Sequence, residues 1–124
     1  MKNKFSKEWK SSKSAGKQRK YQKNAPLHIK SKFSSAHLSA ELRKKYNRRS
    51  LTLRKGDKIK ILRGNFRGKA GKVENIDLKN RRVSITGIDL VKKDGTKVLK
   101  QFHPSNLIIN ELNLDDKRRF KRGK

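Results

Sequence analysis

The sequence predicts an all-β fold, a small closed barrel between basic extensions, and three observations carry that prediction. Apolar residues between positions 51 and 116 come in short groups rather than in long helical stripes. Turn-forming residues separate the groups, chief among them Asp94-Gly95, a strong two-residue hairpin signal. Hydrophobic residues make up only 31% of the chain, enough for one small core. Strands this short close most economically into a barrel, which also removes exposed edges.

Charge divides the chain into three parts. Residues 1–50 carry 16 basic and 2 acidic side chains, residues 51–116 carry 15 and 8, and residues 117–124 carry 6 and none. In the first part Trp9, Tyr21, Phe33 and Tyr46 lie far apart among lysines and serines and cannot build a core alone. One short helix is expected near 39–46: Ser39 is a good N-cap, Glu41 suits the first turn, Leu42 and Tyr46 share a face, and Lys44 and Lys45 complement the C-terminal end. Elsewhere an extended arm is expected.

The middle part supplies the strands in order: Leu51 with Leu53, Ile59 to Leu62, Val73 to Leu78, Val83 with Ile85, Ile88 to Val91, Val98 to Phe102, and Leu107 to Ile109. Ile59-Lys60-Ile61 alternates with the period of two that marks a half-buried strand. Lys79-Asn80-Arg81 makes a second tight turn. His103-Pro104-Ser105 stops the sixth group, because proline donates no ladder hydrogen bond, and lets the seventh return as a closing strand. The expected architecture is an SH3-like barrel over 51–116, with residues 117–124 a second basic arm.

A net charge of +27 in 124 residues implies a polyanionic partner. A compact chain so charged repels itself, and neutralising phosphates with release of their counterions offsets that cost. The run from Leu53 to Val73 offers a place for it. Gly64, Gly68 and Gly71 punctuate a loop in which the main chain can approach a phosphate closely, and Arg63, Arg67, Lys69 and Lys72 add charge beside exposed amides. Nucleic acid is the natural ligand, with a membrane surface the weaker alternative.

Other classes are excluded in turn. The chain has no cysteine, hence no disulfide, thiolate zinc site or cysteine nucleophile, which fits a reducing compartment. No apolar run approaches the roughly twenty residues that span a bilayer, and the N-terminus lacks an apolar signal region. Its Ser-rich, basic composition is shared with organellar transit peptides, but Lys2 to Lys23 shows no apolar stripe, so a cytoplasmic location is expected. Gly64 to Ala70 fails as a nucleotide-binding P-loop: the glycines enclose three residues where four are needed, Ala70 replaces the magnesium-binding hydroxyl, and a strand follows instead of a helix. His28, His37 and His103 have no acid or nucleophile at suggestive spacing. An enzyme, a metal, a cofactor and a small-molecule substrate are therefore not expected.

Gly56-Asp57, alternating Ile59 and Ile61, Gly64, Gly68-Lys69, Gly71 and Val73 together resemble the KOW motif shared by ribosomal and transcription-elongation proteins. The motif alone does not choose between them. The segments Asn24 to Ile29, Ser35 to Ser39, Glu41-Leu42-Arg43, Asp94-Gly95-Thr96 and His103 to Asn106 resemble the archaeal and eukaryotic form of the twenty-fourth large-subunit ribosomal protein family, and the short basic C-terminus is closer to its archaeal branch. The resemblance implies a structural component of the large ribosomal subunit that binds its rRNA, acts early in assembly and lies near the nascent-peptide exit tunnel. It implies as partners the large-subunit rRNA, neighbouring ribosomal proteins and nascent-chain factors at the exit. By the same resemblance the rRNA contacts include Arg63, Asn65, Arg67, Lys69 and Lys72 in the loop and Lys17, Arg19, Lys20, Lys30, Arg48 and Arg49 in the arm; apart from the resemblance, His37, Lys55 and Phe66 are further candidate contacts. The arm would be disordered alone and ordered on RNA. The rival is a transcription-elongation module that contacts RNA and RNA polymerase, and a DNA-packaging protein is a third reading that explains charge alone.

Several of these residues also have a plain structural reading. Gly56, Gly64, Gly68 and Gly71 serve turns, and Gly71, between strands, fits a bulge or close backbone packing better than ligand contact. Asp57 reads as a turn residue whose carboxylate binds nearby amides. Phe66 divides evenly between stacking on an unpaired base and covering the barrel end.

Overall fold

The structure is a computed structural model and describes residues 5, 6, 8 and 11–120. Among these residues the elements run α1 (Ala15–Asn24), α2 (Leu27–Phe33), β1 (Ser35–Leu38), α3 (Ala40–Tyr46), β2 (Ser50–Thr52), β3 (Lys58–Ile61), β4 (Ala70–Asp77), β5 (Arg82–Val91), β6 (Lys97–Phe102), a 3-10 turn (Pro104–Asn106) and β7 (Leu107–Glu111). The strands form one seven-stranded sheet in the order β2-β1-β7-β3-β4-β5-β6, in which only the β1–β7 pairing is parallel. One core draws on Leu51 from one edge strand and Phe102 from the other, so the sheet curls around it in a barrel-like way.

The period of two in Ile59-Lys60-Ile61 is realised as expected, with both isoleucines buried and the lysines outside. Register sets the inner face: Leu38, Ile109, Ile59 and Gly71 lie side by side across β1, β7, β3 and β4. Burying each large aliphatic in such a row stabilises by about 1.5–3 kcal/mol. Gly71 is where the row meets β5. A Cβ there would stand 2.6 Å from Ile85 Cγ2 and 2.9 Å from the Thr86 carbonyl oxygen, so close packing dictates glycine.

The turns follow their residue chemistry. Asp77 accepts from the main-chain N–H groups of Lys79 (3.1 Å) and Asn80 (3.3 Å), while Arg81 takes a φ of 54° to close the β4–β5 hairpin. Asp94 accepts from the Thr96 N–H at 3.0 Å, and Gly95 has a φ of 90°. After β6, His103 caps the 3-10 turn by accepting from the Ser105 N–H, and Pro104 sits at its start.

The strands differ from the sequence reading in two places. Val83 with Ile85 and Ile88 to Val91 are one strand, β5, whose pairing with β6 shifts between Ser84 and Asp89, around Gly87 at a φ of 83°. Glycine at that backbone angle lets the strand bend without ending. The seventh strand comes instead from the expected arm. Ser35–Leu38 inserts between β2 and β7, buries Ala36 and Leu38, and joins the sheet on both sides.

Between Ala15 and Phe33 the arm is largely helical rather than extended. Ala25, held extended ahead of Pro26, separates α1 from α2, and Pro26 opens α2 by accepting from the N–H groups of Ile29 and Lys30 at 3.0 Å. Tyr21 lies 5.0 Å from Phe5 and 6.0 Å from Phe33 between ring centroids, so aromatics far apart in sequence gather. Trp9 lies outside the described residues. The helix expected near 39–46 is α3; the Ser39 side chain makes no cap hydrogen bond, and its N–H goes to Ile109 O at 3.0 Å.

The tail is anchored too. Arg119 is buried, and Phe120 stacks on Tyr46 with centroids 4.5 Å apart and planes 11° apart. The sheet and its supports therefore draw on residues from both sides of the boundaries expected at 50 and 116.

Candidate nucleic-acid interface

Main-chain hydrogen bonds build the β3–β4 loop. Ile61 N–H donates to Lys69 O (2.9 Å) and Gly68 N–H to Ile61 O (2.8 Å), so the ladder continues beyond β3. Arg67 N–H to Gly64 O (3.2 Å) and Lys69 N–H to Phe66 O (3.1 Å) turn the tip, while Leu62 N–H to Asn106 O (2.8 Å) ties its base to the 3-10 turn. Gly64 and Gly68 have φ of 94° and 87° with open space where a Cβ would stand. Backbone conformation alone asks for glycine there.

That backbone leaves Arg63, Asn65, Arg67 and Lys69 exposed. Phe66 is held apart from them: half-buried, it meets Phe102 edge-on at 5.9 Å and carries Lys69 Nζ 5.0 Å from its ring centroid. Lys72 stands on β4 opposite Lys58, which pairs with Glu111 at 2.8 Å, and Lys60 is exposed two residues along. A basic ledge thus runs from the loop down the outside of β3 and β4.

The other expected contact residues are dispersed. Lys17, Arg19 and Lys20 are exposed on α1, and Lys30 is half-buried on α2. His37, half-buried on β1, has Nδ1 buried with no hydrogen-bond partner. Arg49 is exposed, whereas Arg48 donates to Phe120 O at 2.8 Å and lies 5.9 Å over its ring. Lys55 is exposed beside Gly56, which has a φ of 90° and whose Cβ would meet Asn113 Nδ2 at 2.8 Å.

Asp57 carries more than a turn. Its carboxylate accepts from Arg54 N–H (2.9 Å) and Asn113 N–H (2.8 Å), and receives both terminal nitrogens of Arg119 at 2.7 and 2.6 Å. The side chains are 0% and 2% exposed. Arg119 also donates to the carbonyls of Thr52 (3.0 Å) and Asn113 (2.8 Å). The sequence reading found the amides and missed the arginine, one of six basic residues in a tail with no periodicity to single it out; Phe120, apolar in that tail, was the available hint.

Local bonds also govern the charged turns. The Asn80 side chain and N–H hold Asp77 below the usual carboxylate range, the Thr96 hydroxyl and N–H do so for Asp94, and the Arg118 N–H, with Arg54 beside it, does so for Asp116. Burial, then the charges of Arg81 and Arg82, push His103 below the ordinary imidazole value. Among the described residues no group of His, Asp or Glu side chains could hold a metal ion, and no helix is long and apolar enough to cross a membrane.

These features define a class: a small, strongly basic β-sheet protein that presents cations on turns and strand faces and ties Asp77, Asp94 and Asp116 into its own turns. The comparisons specify it further. A family model describing the ribosomal proteins called L26 in eukaryotes and L24 in archaea matches residues 12–122, and the chain belongs to that family of ribosomal proteins, which is structural and not enzymatic. It is 51% identical over 108 residues to "Large ribosomal subunit protein uL24" of Methanosphaera stadtmanae, covering 87% of this chain and 92% of the relative. Proteins of the same name from Methanothrix thermoacetophila and Korarchaeum cryptofilum are 46% and 47% identical over 110 and 103 residues, covering 89% and 83% of this chain and 95% and 79% of theirs.

Proposed function

We propose that this protein is a structural constituent of the large ribosomal subunit in the cytoplasm, that it binds large-subunit rRNA, and that it joins early in assembly near the nascent-peptide exit. The observation that carries the reading is near-full-length similarity to proteins named for that subunit. Residues 51–116 act as an SH3-like KOW barrel completed by Ser35–Leu38, and the basic ledge of Arg63, Asn65, Arg67, Lys69 and Lys72 meets phosphates. Exposed Lys17, Arg19, Lys20 and Arg49 extend that contact, and Phe66 braces the loop from behind. Such contacts position a protein on folded RNA by shape and charge, with no bond made or broken. Neighbouring ribosomal proteins and nascent-chain factors are the further partners.

The test is sedimentation of native extract on a sucrose gradient in near-physiological salt, with the protein followed by mass spectrometry. Stoichiometric recovery with the large subunit, surviving a moderate-salt wash, is expected. Recovery with RNA polymerase or bulk DNA overturns the proposal.

A further inference from the structure

We propose that a groove beside the C-terminal segment takes an unpaired nucleotide of RNA, distinct from the phosphate contacts of the β3–β4 loop; this rests on the RNA-binding reading and deepens it. The loop exposes Arg63, Asn65, Arg67 and Lys69 while its one aromatic ring meets Phe102 edge-on, so it offers phosphates its cations and no free aromatic face. The groove offers one. Its volume is roughly 1170 Å³, more than the roughly 300–1,000 Å³ of a small-ligand pocket, which suits a chain segment.

The lining has the parts an unstacked nucleotide requires. Ile76 and Leu78, both half-buried, supply apolar surface, and the exposed ring of His28 on α2 supplies a face for stacking. Lys32, Lys55 and Arg118 supply exposed cations, and among the described residues none of the three stands in an ion pair. Asp115 and Asp116 also line the groove, but Asp116 is matched by Arg54 at 2.7 Å, which leaves three cations against one carboxylate. Phosphates flanking a base would find that excess, and the hydroxyls of Ser31 and Ser50 can serve the ribose.

Fluorescence anisotropy with the full chain, a short single-stranded RNA and an RNA duplex tests this. His28→Ala removes the ring; it should weaken single-strand binding about tenfold, the scale of one lost base stack, with duplex affinity unchanged. Lys32→Ala with Lys55→Ala should weaken the single strand more than the duplex, whereas Lys17→Ala with Lys20→Ala, equal in charge, should weaken both alike. Thermal melts of each variant exclude misfolding. Equal losses on both RNAs in the groove variants overturn the proposal. So does capture of a glutamate-rich peptide that the groove variants abolish while single-strand affinity stays intact. Wild-type protein that binds neither RNA removes the RNA reading itself; binding to duplex alone removes only the groove.

Discussion

Arg119→Ala is a demanding perturbation of this fold, because among the described residues Arg119 is the only cation paired with a carboxylate that has no solvent exposure. The guanidinium donates to both oxygens of Asp57 and to two carbonyls. Without it Asp57 keeps two main-chain donors, from Arg54 and Asn113, but no countercharge. Breaking a buried pair in this way costs about 3–5 kcal/mol, and the surviving amide bonds place this case near about 3 kcal/mol. Against the roughly 5–15 kcal/mol that holds a typical domain together, that is a large share. It should lower the melting temperature by roughly 10–15 °C. Urea unfolding followed by circular dichroism measures it, with the midpoint read at unchanged slope. Adding Asp57→Asn should cost much less than the sum of the single changes, giving a coupling energy of about 1–3 kcal/mol. A loss under about 1 kcal/mol for Arg119→Ala, or strict additivity in the double variant, would refute the assignment of the tail to the fold.

Four further outcomes are expected. Replacing Arg63, Arg67 and Lys69 together with alanine should weaken rRNA binding and flatten its logarithmic salt dependence by about 2–3, with melting nearly unmoved because all three are exposed; a filter-binding salt series and a thermal melt check this. Gly71→Ala should destabilise by about 1–3 kcal/mol through the 2.6 Å approach to Ile85, visible as a lower urea midpoint. Removing residues 1–24 should leave a cooperative melt, whereas removing 1–37 strips β1 of all but Leu38, detaches β2, and should abolish it. His103, neutral in the fold so that Nδ1 can accept from the Ser105 N–H, has a folded pKa below its unfolded 6.5. The unfolded chain then binds the extra proton first, so stability falls as pH drops through 6.5 toward the folded value, and His103→Asn should show a shallower loss over that window in melts across pH.

What the sequence made legible followed from local rules. Period two set β3, Asp94-Gly95 set the β5–β6 hairpin, His103-Pro104 set the break before β7, and α3 formed where expected with Glu41 in its first turn and Lys44 and Lys45 in its last, though the Ser39 side chain does not cap it. Each signal lies within a few residues. The losses were non-local. Ser-Ala-His-Leu at 35–38 is too short to declare a strand, and it becomes one because Ile108 and Ile109 lie beside it from the far end of the chain. Arg119 is indistinguishable from its neighbours until Asp57 is placed against it. The exposure of Arg63, Asn65, Arg67 and Lys69 was legible because glycine and charge alternate within one turn. The contacts of Arg48 with Phe120 and of Phe66 with Phe102 were not, since those partners are distant in sequence.

The placement of the acids explains how a chain with this charge both folds and keeps a cationic surface. There are ten acidic residues, and five of them are committed to the fold: Asp57 to the buried arginine, Asp77 and Asp94 to turn amides, Asp116 to Arg54 and Arg118, and Glu111 to Lys58. None of those five neutralises Arg63, Arg67, Lys69 or Lys72 through an ion pair. Carboxylates placed on the loop instead would shield the basic ledge and weaken the long-range attraction that draws a polyanion to it. Self-repulsion is therefore relieved where the backbone turns and left in place where the surface faces a ligand. Adding acid to the ledge, as in Asn65→Asp, should raise stability slightly while reducing RNA affinity, and opposite signs in those two measurements are what this division of labour requires.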